Sequence, residues 1–406
     1  MSDHILPTRH VRPPRGWIND PNGLAHVDGT WHVFFQYNPA SHRHDAIRWG
    51  HATSTNLLDW KLEPDVLVPE PEGINAVGSW SGCLTVDDTV PTICCTAVST
   101  TPAAAVGAIA RGSADLRSWE LEQTPAAPPH GEAGAETRDP FVVWIEGHRY
   151  IIQGHGGRGT TASILVHDAE DLTNWPLLGE LVTVADPVAA QHAPADIWEC
   201  PNLVRLGDDW VLVVSLWLDG QLSGVRWLLG DLQLEEQDGN QVPRFSPRTG
   251  GVLDTGPCFY APQLVTHEER TLLIGWSWEL ERSDEVLAEQ GWAGVLTTPR
   301  ELSVRDGRLV QDLPREVMEA VAERVDPSWR AAEHPCVLVR ATSAVVLTCD
   351  LAEGESRLEL QAGSTVILDG SLVEVFHEGS TRTTRCYPAL AATWSVTGQA
   401  EVRVLG

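Results

Sequence analysis

Short runs of alternating apolar and polar residues fill the chain up to about residue 305. Trp31–Gln36, Tyr150–Gln153, Trp210–Ser215 and Leu272–Trp276 are rich in β-branched and aromatic residues and are bounded by Gly, Asp and Asn, the pattern of strands separated by turns. Helical periodicity is nearly absent before residue 312. The stretch Leu313–Val325 is the one helix-like segment, with Pro314 suited to a first turn. Beyond it the strand pattern returns in Cys336–Arg340, Ala344–Thr348, Ser356–Leu360 and Leu372–Phe376.

The strand pattern repeats. Asn/Asp-Leu-x-x-Trp occurs at Asn56–Trp60, Asp115–Trp119 and Asp171–Trp175, with the tryptophans 59 and 56 residues apart. A second series keeps nearly the same step: Asp20, Trp80-Ser81-Gly82, Asp139, Glu199 and Cys258-Phe259-Tyr260. A unit of about 60 residues holding three or four strands is a propeller blade. Five such units fit before residue 308, and the last stretch suggests a small sandwich. The predicted fold is therefore all-β, a five-bladed β-propeller over residues 1–308, a helical linker over 309–328 and a C-terminal β-sandwich over 329–406. Equivalent positions of successive blades face one axis, so Asp20, Asp139 and Glu199 should converge despite their separation in sequence.

Composition narrows the partners. A net charge of −28, with Lys61 the only lysine, excludes a nucleic-acid binder and disfavours anionic membranes, while suiting a neutral substrate. No run of 18 apolar residues is present, and the first residues carry neither a basic start nor an apolar stretch, so the expectation is a cytoplasmic protein. The eight cysteines show no metal-ligand spacing and the 15 histidines are scattered, so no metal is expected. Cys200 reads as packing, since no partner base accompanies it.

Cleaving a glycosidic bond takes one carboxylic acid to protonate the leaving oxygen and one carboxylate across the ring. Asp20 precedes Pro21 and Gly23, which turn the chain just after the carboxylate. Asp139 stands beside Arg138, whose charge is expected to keep it ionised. Glu199, next to Trp198, is expected to be pushed toward neutrality as a general acid requires. Singly, these residues read as an ordinary turn, a surface ion pair and a strand-end acid. Three acids in blade register, each with a proline within two positions, read as a site. Seventeen tryptophans against four tyrosines favour sugar stacking, with Trp17, Trp49 and Trp80 as candidate pocket walls.

Gly16–Gly23, Phe35–Pro39, Trp49–Ala52, Arg138–Pro140, Glu199–Pro201, Phe259–Ala261, Gly291–Arg300 and Asp369–Phe376 together resemble glycoside hydrolase family 32, the invertases, fructanases and related fructosyltransferases. The resemblance implies retaining hydrolysis without a cofactor, with Asp20 as nucleophile, Glu199 as acid/base and Asp139 as transition-state stabiliser. It also implies that Asn19, Gln36, Trp49 and Arg138 line a fructose subsite, with Trp80 and Ser81 where the family has Phe-Ser. The implied reaction is release of terminal β-D-fructofuranosyl residues from sucrose and short fructo-oligosaccharides. Fructan exo-hydrolysis or fructosyl transfer through the same intermediate, or a non-catalytic fructan-binding protein, remain as alternatives, and homo-oligomer formation is left open. Cys83 after Gly82 and a short sandwich depart from the family pattern.

Overall fold

The computed structural model describes residues 5–130, 134–352 and 354–406, which are almost wholly β. Five sheet units follow one another in chain order, each an antiparallel meander, the third and fourth joined into one sheet by the pairing of Gly156 with Ile197. The first comprises β1 (Gly16–Val27), β2 (Thr30–Asn38), β3 (Arg48–Ser54) and β4 (Lys61–Val66), and the second β5 (Gly78–Asp87), β6 (Val90–Val98), β7 (Val106–Gly112) and β8 (Trp119–Leu121). The third holds β9 (Glu136–Ile145), β10 (His148–Gly156), β11 (Ser163–Asp168) and β12 (Leu177–Thr183). The fourth holds β13 (Ile197–Leu206), β14 (Asp209–Leu218), β15 (Gln221–Gln237) and β16 (Asn240–Val252). The fifth is built on β17 (Phe259–His267) and β18 (Arg270–Ser277). After β19 (Trp292–Ala293), which pairs in parallel with β1, and β20 (Val295–Leu296), it is completed by β21 (Arg300–Arg305) and β22 (Arg308–Asp312).

The first strands of the five sheets are neighbours: β1 lies by β5, β5 by β9, β9 by β13, β13 by β17, and β17 by β1. Strand burial follows from this layering. In β2 all but the first residue are buried, because neighbouring sheets cover both faces, whereas β4, with Pro64 among its exposed residues, is an edge. The Asn/Asp-Leu-x-x-Trp repeats are the corners before the outermost strands. In each, the tryptophan indole N–H donates to the leucine carbonyl three residues back, at 3.1, 2.9 and 2.7 Å, over a buried leucine.

Residues 321–405 form a six-stranded and a four-stranded sheet around a core that includes Trp329, Leu347, Val366 and Trp394. The predicted helix over Leu313–Val325 is shorter: only Arg315–Glu319 is helical, and β23 (Val321–Arg324) pairs with the strand Ala400–Leu405. Strand pairing there prevails over the helix propensity of Ala, Glu and Arg. Two further short helices escaped the periodicity reading, Pro187–His192, capped by Asp186, and Asp284–Gln290, capped by Ser283.

A fully buried ionic cluster joins the fifth sheet to the C-terminal sheets. Arg300 donates to Asp254 at 2.9 Å, Glu374 at 3.1 Å and the hydroxyls of Thr381 and Thr383 at 2.8 and 2.7 Å. His10 bridges Asp369 at 2.7 Å and Glu374 at 3.0 Å. Among the described residues no helix is long and apolar enough to cross a membrane.

Candidate active site

Each first strand carries a β-bulge at the same level. Two residues oppose one where Asn19-Asp20 face Gln36, Trp80-Ser81 face Thr96, Asp139-Pro140 face Gln153, Cys200-Pro201 face Val214 and Ala261-Pro262 face Gly275. A bulge re-aims side chains and interrupts strict alternation. Asp139, Cys200 and Ala261 pass through the left-handed region there, with φ of 60°, 46° and 47°. Non-glycine residues pay strain to do so, and such outliers gather at functional sites.

The bulges bring two tiers of side chains to the middle of the five sheets. The lower tier holds Asp20, Ser81, Asp139 and Cys200. Ser81 Oγ donates to Asp20 Oδ2 at 2.6 Å across 61 residues, and the Cys200 backbone N–H donates to Asp139 Oδ2 at 2.9 Å, also across 61. The Cys200 thiol lies 3.6 Å from Asp20 Oδ2 and 3.5 Å from Asp139 Oδ2. Burial and both carboxylates hold that thiol well above its ordinary range, so it stays protonated and donates; it does more than pack. The upper tier holds Asn19, Trp80, Arg138, Glu199 and Tyr260. Glu199 accepts from Arg138 at 3.1 Å and from the Tyr260 hydroxyl at 2.6 Å, each one blade step away. Asp20 is held further by the Asn19 amide at 3.0 Å and the Gln36 amide at 3.0 Å.

Electrostatics follow from this crowding. Burial, with the Glu199 charge added, raises Asp20 to about 6 against the hydrogen bonds from Ser81 and Asn19. Burial raises Asp139 to about 7, with the charges of Glu199 and Asp20 adding to it and Arg138 only partly opposing. This reverses the expectation that Arg138 keeps Asp139 ionised. The guanidinium is turned to Glu136 and Glu199 rather than to its sequence neighbour.

Above the tiers opens a cavity of 610 Å³, lined by Asn19, Asp20, Gln36, Arg138, Asp139, Glu199 and Tyr260 and walled by the indoles of Trp17, Trp80, Trp217, Trp276 and Trp278. Below them a void of only 10 Å³ separates it from a second hollow on the opposite face, so the cavity is blind. Of the residues predicted from sequence, Asp20, Asp139, Glu199, Asn19, Gln36, Trp80 and Arg138 meet here, and Ser81 sits behind Asp20. Trp49 does not reach the cavity. It is fully buried and supports the wall from behind, its indole N–H donating to the Trp80 carbonyl at 3.0 Å. The ring that occupies the wall beside Trp80 is His44, with Nε2 3.1 Å from Gln36 Oε1. His44 lies in a loop and follows no blade step, so the sequence pattern does not mark it, whereas Tyr260 stands 61 residues after Glu199, in step with the blades.

A blind pocket walled by indole rings and floored by carboxylates has the make-up of a glycoside hydrolase site. The comparisons agree. Residues 10–312 match the model of the Glycosyl hydrolases family 32 N-terminal domain, and the chain belongs to that family. It is 32% identical over 336 residues to a raffinose invertase of Escherichia coli, covering 79% of this chain and 67% of that one. It is 31% identical over 385 residues to a sucrose-6-phosphate hydrolase of the same organism, covering 90% and 77%. Its fold is shared with the β-fructofuranosidase BmSUC1 of Bombyx mori, at a TM-score of 0.80 and 22% identity over 99% of this chain and 94% of that one.

Proposed function

We propose that this enzyme releases terminal non-reducing β-D-fructofuranosyl residues from sucrose and short fructo-oligosaccharides with retention, on a five-bladed propeller followed by a β-sandwich. The ring of adjacent first strands supports the propeller reading. Residues 1–308, extended to Asp312 by β22, are proposed as the catalytic unit, and 329–406, with β23 added, as the sandwich. The observation that carries the chemistry is the grip on Asp20: Ser81, Gln36 and Asn19 all donate to its carboxylate, fixing it on the floor beneath the Glu199 carboxyl.

In the first step Asp20 attacks the anomeric C2 of fructose as the C2–O bond to the leaving sugar breaks, and Glu199 gives its proton to the departing oxygen. Water then attacks C2 from the vacated side, Glu199 takes its proton, and the bond to Asp20 breaks. The partial positive charge at C2 in both steps is offset by Asp139. Asn19, Gln36 and Arg138 are placed to hold sugar hydroxyls, and Trp80 offers its face to C–H surfaces. Sucrose-6-phosphate, in the name of one relative, differs from sucrose by a phosphate on the leaving glucose.

Purified protein incubated separately with sucrose, inulin and levan should release free fructose fastest from sucrose. Asp20→Ala and Glu199→Gln should each stop this release. Full activity in either variant sinks the assignment. Faster release from levan or inulin would move it to a fructan exo-hydrolase, and growing oligosaccharides to a transferase.

A further inference from the structure

A second chamber of 480 Å³ opens beside the catalytic cavity and shares with it Arg138, Glu199, Trp217 and Gly220. Glu199 stands at the junction, so a bond protonated by Glu199 has fructose on one side and this chamber on the other. The chamber is charged in one sense. Its carboxylates are those of Glu136, Asp196, Asp219 and Glu199, and Asp196 Oδ2 accepts the Asp219 backbone N–H at 2.9 Å. Its guanidiniums, among the described residues, are Arg138 and Arg158. Arg138 is already engaged by Glu136 and Glu199, and Arg158 is exposed at the rim. Among the described residues no cation lies within ion-pair reach of Asp196 or Asp219, and together with the −28 net charge they leave the chamber acidic.

We infer that this chamber holds the leaving sugar and that Asp196 and Asp219 make it selective for an uncharged one over a phosphorylated one. Carboxylates accept hydrogen bonds from the hydroxyls of a neutral sugar, whereas a phosphate dianion entering the same space meets a surplus of like charge, four carboxylates against two guanidiniums, of which Arg138 is already paired and Arg158 stands exposed at the rim. The inference rests on the fructosidase reading above.

The test compares kcat/KM for sucrose and for sucrose phosphorylated on its glucosyl O6, in the wild-type enzyme and in Asp196→Asn and Asp219→Asn. Asn at 219 suits the left-handed backbone there (φ 52°), so the fold is kept. The wild type should favour unphosphorylated sucrose by about tenfold or more at low salt. That preference should shrink in 0.5 M salt, where the Debye length is well below the roughly 10 Å of 0.1 M salt, and the ratio of the two kcat/KM values should shrink again in each Asn variant. Equal or better turnover of the phosphorylated sugar by the wild type, with sucrose also cleaved, overturns the charge inference alone. A preference unmoved by both salt and the Asn variants overturns the role of Asp196 and Asp219. Cleavage of neither sugar overturns the fructosidase reading and this inference with it.

Discussion

Arg300 offers the sharpest test of what holds the two halves of the chain together. Its side chain is fully buried and makes hydrogen bonds to Asp254, Glu374, Gln311, Thr381 and Thr383, with the Phe259 ring 4.5 Å from its guanidinium carbon. Arg300→Met keeps most of the volume and removes the charge. Asp254 would retain Thr383 and Gly256 as donors, and Glu374 would retain Thr298 and His10, but both carboxylates would lose their shared cation. Removing one partner of a buried ion pair costs about 3–5 kcal/mol. With about 2 cal/mol/K of unfolding entropy per residue, a chain of this size should lose about 4–6 °C in Tm. Arg305→Met is the control, because its partner Asp312 is an exposed ion pair worth about 1 kcal/mol or less. Thermal unfolding of both variants beside the wild type, followed by circular dichroism and calorimetry, measures the difference. An Arg300→Met loss no larger than that of Arg305→Met would refute the reasoning.

The same cluster sets a pH dependence. Burial works against the charge on His10, but Asp369 and Glu374 outweigh it and raise the imidazole to about 9; its stability contribution is full below about 6.5 and should disappear as pH rises through 9, a loss that His10→Gln should flatten in a Tm-versus-pH series. Glu374, held down to about 2 by His10 and Arg300 despite burial, contributes above about 4.5 and fails only in strong acid. Activity should follow a different curve: with Asp139 raised to about 7 and Asp20 to about 6, kcat/KM should fall as pH drops through 7 and 6, and a flat profile down to 4.5 would count against both carboxylates' roles. Tyr260→Phe removes a 2.6 Å hydrogen bond to Glu199 and should lower kcat/KM by about 10–100-fold with little change in Tm, as expected for one bond to a charged group. Gly154→Ala would put a Cβ 1.9 Å from the Trp198 carbonyl, displacing the strand that carries Glu199, and should yield little folded, active protein on expression.

The step of about 60 residues was legible in sequence, and with it the convergence of Asp20, Asp139 and Glu199, because a repeated blade converts distance along the chain into adjacency around an axis. The direction in which a side chain leaves that axis was not. Arg138 and Asp139 are consecutive, yet the bulge sends the guanidinium to Glu136 and Glu199 and the carboxylate to the Cys200 backbone. Trp49 lies on β3, where Trp49, Gly50, His51 and Ala52 are all buried between covered faces, and it is the preceding loop, with His44, that forms the wall. The short helix at Arg315–Glu319 was overread because the partner of β23 is the last strand of the chain, some 80 residues on, and no local pattern announces it.

The five bulges also separate the evolution of the pocket from the maintenance of the sheet. A strand in regular register presents alternate side chains, and replacing one of them alters a ladder neighbour and a packed face together. Here the residues on the floor stand where the ladder has already been interrupted, and pairing resumes on either side at Pro21, Gly82, Phe141, Asn202 and Gln263. Substitutions at these few positions change what the cavity recognises without asking the strands to pair again, so one scaffold can be re-tuned from one sugar to another by point changes whose structural cost was met once, when the bulges formed.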